Sequence, residues 1–249
     1  MQPELTFELL KKIDPQALYP VSEGNNIYYF SKRSFDLLIA SAALIILSPL
    51  LILVAILIKL DSPGPVFFKQ DRVSVKRKVY NRITYWQQVT FRCYKFRTMV
   101  CNADPSLHKS YIKALINNDC KEMAELQGGD TQVRKLTHDP RITRIGRILR
   151  KSSIDEIPQF FNVIKGEMSV VGPRPAIPYE VEMYKPWHYK RLETKPGITG
   201  LWQVTARSTC EFDEIVKFDI QYIEQQSFWL DLKILLKTPI AVLFCRGAV

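Results

Sequence analysis

Residues 37–58 read LLIASAALIILSPLLILVAILI, 22 positions without a charge. As a straight helix they reach about 33 Å, roughly one hydrocarbon thickness of a bilayer. A buried core helix is the competing reading, and few core helices need so long an apolar run. The run begins too late in the chain for a cleaved signal peptide. It therefore marks membrane attachment. Ser48 and Pro49 sit at its middle, where proline removes a backbone donor and crowds the preceding turn. The segment either spans with a kink or folds back. Lys32 and Arg33 precede it and Lys59 follows it, so flanking charge sets no orientation.

The remaining pattern predicts short elements. A helix is expected over residues 4–12, then a loop rich in polar and aromatic residues. Asp61-Ser62-Pro63-Gly64-Pro65 is a turn. Residues 66–69 and 89–99 read as short strands with a basic polar stretch between them. Asp104-Pro105 opens a helix to about residue 117, and Gly128-Gly129 marks a loop. Further helices are expected over 142–151, 155–164 and 211–225. A last apolar helix, 227–244, carries Asp231, Lys233 and Lys237 in its first half. That pattern suits a helix lying in the membrane interface with Phe228 and Trp229 at headgroup level, or an ordinary core helix. The fold class is α/β, mixed and mostly helical, as a globular domain on a membrane helix with amphipathic interfacial helices. The chain divides into an N-terminal extension (1–29), the membrane helix (30–60) and a catalytic domain (61–249).

Charge narrows the partners. Thirty-five lysines and arginines against 25 acids give +10, so an anionic partner is expected. Arg141, Arg144, Arg147 and Arg150 recur every three residues, opposite Ile142, Ile145, Ile148 and Leu149. No aromatic interleaving or nucleic-acid module accompanies this basic helix, so nucleic acid is excluded and anionic membrane lipid preferred. The five cysteines (Cys93, Cys101, Cys120, Cys210, Cys245) show no paired spacing, and only three histidines are present. That argues against a zinc site or a disulfide framework and for reduced thiols facing cytosol.

The candidate chemistry lies in KSSIDEIPQFFNVIKGEMSVVGPRP, residues 151–175. Asp155 and Glu156 are adjacent carboxylates with Arg150, Lys151 and Arg174 nearby in sequence. One carboxylate can attack phosphorus while another holds a divalent metal. Ser153 and Glu156 also match a capping box, the structural alternative. Pro158 would fall at the fifth position of a helix capped by Ser153, or the regular helix starts nearer Ile157. Lys95 and Arg97 share a strand face and suit a diphosphate, unless they only solvate an edge strand. Gly172-Pro173-Arg174-Pro175 is a rigid turn presenting one cation.

These segments together resemble the bacterial sugar transferase family, the polyprenyl-phosphate sugar-1-phosphate transferases or monotopic phosphoglycosyl transferases. SPGPVFF, KFRTM, DPRITRIGRILRKSSIDEIPQFFNVIKGEMSVVGPRP and KPGITGLWQV occur in the family's order, and the likeness covers about residues 30–245. The resemblance implies the minimal single-domain type. It implies a helix broken at Ser48 and Pro49 that enters and leaves by the cytoplasmic leaflet of the bacterial inner membrane. It makes Asp155 the nucleophile on the sugar-bearing phosphate of a UDP-sugar, Glu156 its partner, and Mg²⁺ a cofactor held by both with the substrate phosphates. Arg150 matches a phosphate-contacting position, and Arg174 and Arg207 are further substrate contacts. The implied reaction releases UMP, forms an aspartyl phosphosugar and passes the sugar phosphate to polyprenyl (undecaprenyl) phosphate. It would start an exopolysaccharide, capsule or O-antigen. A homo-oligomer is compatible with the sequence, which does not name the sugar. The stretch 71–94 is longer and more polar than in the shortest members, so no substrate contacts carry over there. The rival class is a non-catalytic membrane scaffold with a lipid-binding basic helix.

Overall fold

The computed structural model describes residues 17–20, 26–80, 83–101, 104, 106–117, 119–127, 139, 141–205 and 211–243. The helix expected at 4–12, the Gly128-Gly129 loop and Arg207 lie outside them.

The apolar run forms two helices, α1 (Asn26–Ile46) and α2 (Ser48–Asp61). They are bent by 61° at Leu47. The cause is local. Pro49 sits in the first turn of α2, where its missing N–H belongs to the groups a helix leaves unpaired anyway. The Ile45 carbonyl, which Pro49 cannot serve, accepts instead from the Ser48 hydroxyl at 2.8 Å. No described helix is by itself long and apolar enough to cross a membrane; only this bent pair has the length and composition.

The first half of α1 belongs to the globule. Lys32 Nζ pairs with Asp231 at 2.8 Å. The Arg33 guanidinium donates to the Val163 and Ile164 carbonyls at 2.6 and 2.8 Å. Asp36 accepts from the Ser169 hydroxyl and the Val170 amide. Beyond these anchors, Leu38, Ile45, Ile46, Ile52, Leu53 and Leu60 are exposed. An uncovered apolar surface of this kind marks a site that another phase or molecule covers.

The polar stretch between the two expected short strands is itself largely strand. It forms a long antiparallel hairpin, β2 (Phe67–Tyr80) with β3 (Ile83–Phe96), in register from Phe67 opposite Phe96 to Tyr80 opposite Ile83. β1 (Ala17–Pro20) pairs with β3, giving the order β1-β3-β2. Apolar alternation underestimates these strands. Arg72, Val73, Ser74 and Val75 are all buried, whereas Lys78, Val79 and Tyr80 near the tip are all exposed.

Next come α3 (Ser106–Ile116), α4 (Cys120–Gln127) and α5 (Arg144–Ser152). One 3₁₀ turn, Ile154–Glu156, then separates α5 from α6 (Gln159–Lys165). The helix expected from residue 155 thus starts later, because Pro158 stands at its N-cap. A two-stranded parallel sheet, β4 (Ser169–Val171) with β5 (Gly197–Thr199), follows the site. Its strands approach closely at their ends: a Cβ on Gly172 would collide with the Lys195 carbonyl, and one on Gly197 with the Gly172 amide. Between them lie α7 (Pro178–Val181) and a 3₁₀ helix, Pro186–Leu192. α8 (Leu201–Thr205), α9 (Phe212–Gln225) and α10 (Phe228–Leu243) end the described chain.

The largest core cluster joins Ala40 of α1, Phe91 and Cys93 of β3, Val163 of α6, Val170 and Val171 of β4, Tyr222 of α9 and Ile234 of α10. α10 has one buried face, as a core helix does, and an exposed apolar one. Asp231 and Ile234 are buried toward α1 and the core, while Trp229, Leu236 and Ile240 are exposed.

Candidate active site

The site begins at the end of α5. Ser153 adopts φ 56°, the one non-glycine residue with positive φ among the described residues. This left-handed step ends the helix and turns the chain into the 3₁₀ segment that carries Asp155 and Glu156. Such a conformation costs a residue with a Cβ free energy and tends to persist where neighbouring structure enforces it. The capping box does not form. The Ser153 side chain caps nothing, and Glu156 is committed elsewhere.

Glu156 Oε1 accepts from Lys95 Nζ at 2.6 Å. Lys95 lies near the end of β3, and Asn162 of α6 fixes where that strand meets the carboxylates. The Asn162 side chain is fully buried. It accepts from the Tyr94 amide at 2.9 Å and donates to the Arg92 carbonyl at 2.8 Å. It therefore occupies the strand edge as a neighbouring strand would, one residue from Lys95.

Asp155 is only 9% exposed. Burial raises its carboxyl to about 6, against the pull of the Lys95 ammonium. Burial acts the same way on Glu156, but Lys95 in contact with it, with Arg174 and Arg72 beyond, holds that carboxyl at about 2. Two neighbouring acids are thus driven apart, Glu156 fully ionised and Asp155 protonated on the acid side of neutrality. Separation of this kind is typical of sites with divided roles.

The expected cations divide into two groups. The Arg150 guanidinium acts on Asp155 by lowering its pKa, while its Nε donates to the Thr98 hydroxyl at 2.9 Å. Arg174 is exposed on its turn and makes no hydrogen bond or ion pair with a described residue. Lys95 is at the site as a partner of Glu156. Arg97 is not. Its guanidinium donates to the Ser62 and Pro63 carbonyls, each at 2.6 Å, closing the end of α2. Strand alternation puts Lys95 and Arg97 on one face, but β3 ends at Phe96, so the shared face does not extend to Arg97. Along the arginine helix, Arg144 and Arg147 are exposed and Arg141 pairs with Asp139 at 2.6 Å.

Sequence reading missed Arg72. It is buried, with one guanidinium nitrogen donating to the Pro175 carbonyl at 2.7 Å, another to Gln70 at 2.7 Å, and Nε unpaired. It braces the turn that presents Arg174. In sequence it is one cation in a polar run, and only the hairpin register and the approach of β4 and β5 bring it here. Among the described residues no group of three metal-ligating side chains is found. The oxygen donors available are Asp155 and the Glu156 oxygen not held by Lys95.

Carboxylates of opposed acidity, with a lysine and arginines acting on them, have the chemistry that phosphoryl transfer requires. Comparison with known proteins specifies the class. The bacterial sugar transferase family profile matches residues 27–245. The chain is 40% identical over 218 residues to the exopolysaccharide production protein ExoY of Rhizobium meliloti, covering 88% of each. It is 41% identical over 219 residues to the undecaprenyl-phosphate galactose phosphotransferase of Salmonella typhimurium, covering 88% of this chain and 42% of that one. Identity to the UDP-glucose:undecaprenyl-phosphate glucose-1-phosphate transferase of Caulobacter vibrioides is 36% over 225 residues, 87% and 71% of the two chains. The chain belongs to the bacterial sugar transferase family. It is an enzyme of the phosphoglycosyl transferase class, and the scaffold alternative falls.

Proposed function

We propose that the protein transfers a sugar-1-phosphate from a UDP-sugar to undecaprenyl phosphate in two steps at Asp155. In the first, an Asp155 carboxylate oxygen bonds to the sugar-bearing phosphorus. The pyrophosphate P–O bond breaks with its electron pair, and UMP departs. In the second, a phosphate oxygen of the lipid bonds to the same phosphorus and the Asp155 acyl phosphate bond breaks. The products are UMP and a lipid-linked diphosphosugar. One pyrophosphate is exchanged for another, so no separate energy source is needed. Splitting the transfer lets a soluble and a lipid substrate use one site in turn.

The observation that carries this reading is the pairing of a buried, high-pKa Asp155 with a Glu156 kept ionised by Lys95. The names of the Salmonella and Caulobacter relatives support the substrate class. Arg150, which acts on Asp155, and Arg174, exposed on its turn, are the side chains assigned here to phosphate oxygens. Arg207, outside the described residues, stays in the proposal from its sequence position alone.

The donor set suits Mg²⁺. This hard cation is commonly held by one or two carboxylates and completes its shell with substrate phosphates and water. Asp155 and Glu156 would hold it, and it would neutralise charge on the diphosphate. We further place the reaction at the cytoplasmic face of the inner membrane, with α1 and α2 folding back within one leaflet. The 61° bend, the exposed apolar residues of both helices and those of α10 support that placement.

The test is UMP release by purified enzyme across a panel of UDP-sugars, with Mg²⁺ and without lipid. A stoichiometric burst of UMP is expected, together with labelling of Asp155 by radioactive sugar phosphate. No UMP until undecaprenyl phosphate is added would overturn the covalent mechanism.

A further inference from the structure

The segment SPGPVFF, residues 62–68, leads from the end of α2 into β2 and finishes on two aromatic residues. Its start is fastened. The Arg97 guanidinium holds the Ser62 and Pro63 carbonyls, and the Arg97 amide donates to the Val66 carbonyl at 2.9 Å. Phe96, between Lys95 and Arg97, packs in one cluster with Val54 and Ile58 of α2 and Leu149 of α5. The first residues of β2 therefore stand where α2 ends. Their two aromatics fall on opposite faces of the hairpin. Phe67 lies across the strands from Phe96, the rings stacked at 5.5 Å and 14°. Phe68 lies across from Lys95, whose ammonium is bonded to Glu156.

Directly opposed residues of an antiparallel pair share a face, with Cβ atoms about 5 Å apart. Phe68 thus stands on the face that carries Lys95, as its immediate neighbour. Along the same face follow Gln70 and Arg72, which holds the Pro175 carbonyl at the turn presenting Arg174. The two ends of the face are unlike: a buried guanidinium under the Arg174 turn, and a phenyl ring at the α2 end. Phe68 is 48% exposed and Phe67 44%. A ligand covering such a ring gains about 25 cal/mol per Å² of apolar surface taken from water. Leu53, Ile56 and Leu60 are exposed on α2 itself. Uncovered apolar side chains therefore occur on that helix, at Phe67 and at Phe68, the last of them beside the Lys95–Glu156 pair.

The uracil of a UDP-sugar could cover one ring, but not the series that leads back to α2. A hydrocarbon chain ending in a phosphate suits both the series and the cation at its end. Resting on the reading above, in which undecaprenyl phosphate takes the sugar phosphate from Asp155, we propose that Phe68 packs against the first isoprene units of the lipid. The phosphate would lie toward the carboxylates and the chain would leave over Phe67 toward α2. Phe68 is then a binding residue for the acceptor and a determinant of its specificity.

The test uses full-length enzyme in lipid nanodiscs and separates the two half-reactions. Wild type, Phe68→Ala and Phe68→Leu are compared for the UMP burst without lipid, for UMP inhibition and for thermal unfolding. Discharge of the enzyme labelled with sugar phosphate is then followed against undecaprenyl phosphate concentration. Losing the ring should raise the concentration for half-maximal discharge about ten-fold in Phe68→Ala. The burst and UMP inhibition should stay as in wild type, and leucine should recover part of the loss. Unchanged lipid dependence in a Phe68→Ala enzyme that melts like wild type overturns the proposal. Weakened UMP inhibition in its place would assign the ring to uracil. Equal loss in both half-reactions also overturns it, since Phe68 would then only hold Lys95 in position. Wild-type enzyme that releases no UMP without lipid counts against the two-step reading instead. In that case the steady-state KM of Phe68→Ala for the lipid still decides the contact.

Discussion

Lys95 and Glu156 are 61 residues apart in the chain and meet at 2.6 Å. The pair has two consequences: Glu156 stays anionic, and one of its oxygens is taken, leaving the other for a cation. Asp155 next to it carries no such partner and bears the cost of burial.

Removing the lysine should therefore disable the dyad without unfolding the domain. Lys95→Met is expected to lower kcat/KM for UMP release by about a hundred-fold or more, and Lys95→Arg to recover part of it. Comparable rates in wild type and Lys95→Met would show that Glu156 needs no fixed cation.

The raised Asp155 pKa predicts the acid limb of the rate profile. Attack needs the carboxylate, so kcat/KM should rise with pH and level off above about 6. The check is a pH–rate profile compared with direct titration of labelled Asp155. A limb near 4 would mean that the buried carboxyl ionises as an ordinary one.

The same shift predicts stability. Asp155 goes from 3.8 to about 6 on folding, so the folded state holds its proton more tightly. This contribution is complete below about pH 4 and is lost as pH rises through about 6. Ionised Asp155 at pH 7 then costs up to about 3 kcal/mol. Asp155→Asn should abolish turnover yet melt several degrees higher than wild type at pH 7, the difference vanishing below pH 4. Equal melting at both pH values would deny the burial cost.

Arg97 should behave as a structural residue. Arg97→Met leaves the Ser62 and Pro63 carbonyls without their charged donor and is expected to destabilise by about 2–4 kcal/mol. The fraction that folds should keep the wild-type KM for the UDP-sugar. A raised KM in stably folded Arg97→Met would return this residue to the substrate site.

The bend at Leu47 can be tested by topology. Pro49→Leu restores a backbone donor and removes the ring clash, favouring a continuous helix long enough to span. A Gln2→Cys probe, in a background lacking the native cysteines, should resist impermeant thiol reagents in intact cells. Adding Pro49→Leu should expose part of the population. Labelling of the probe from outside with Pro49 intact would mean that the segment spans.

Much of this protein was legible because its rules act over a few residues. The apolar run, the break at Ser48 and Pro49, and the ends of α9 and α10 follow from local hydropathy, a missing donor and helix periodicity. Asp155 and Glu156 announce themselves as adjacent carboxylates near arginines. The strands were underestimated because the hairpin buries Arg72 and Ser74 as well as Val73 and Val75, so the polar stretch shows no apolar alternation.

By itself the sequence determined the apolar segment and its break, the carboxylate pair, and the family that its motifs share. Tertiary structure decided which cations serve the carboxylates. Lys95 and Arg97 are equivalent two residues apart on paper, yet one reaches Glu156 and the other closes α2. Arg72 enters from a stretch without a motif, and Phe68 comes opposite Lys95 only through the hairpin register. The reason is range. Helix breaks and strand faces are set within a turn or two of chain, whereas a charge acts across space and finds its partner only after the hairpin, α6 and the turn at Arg174 have packed.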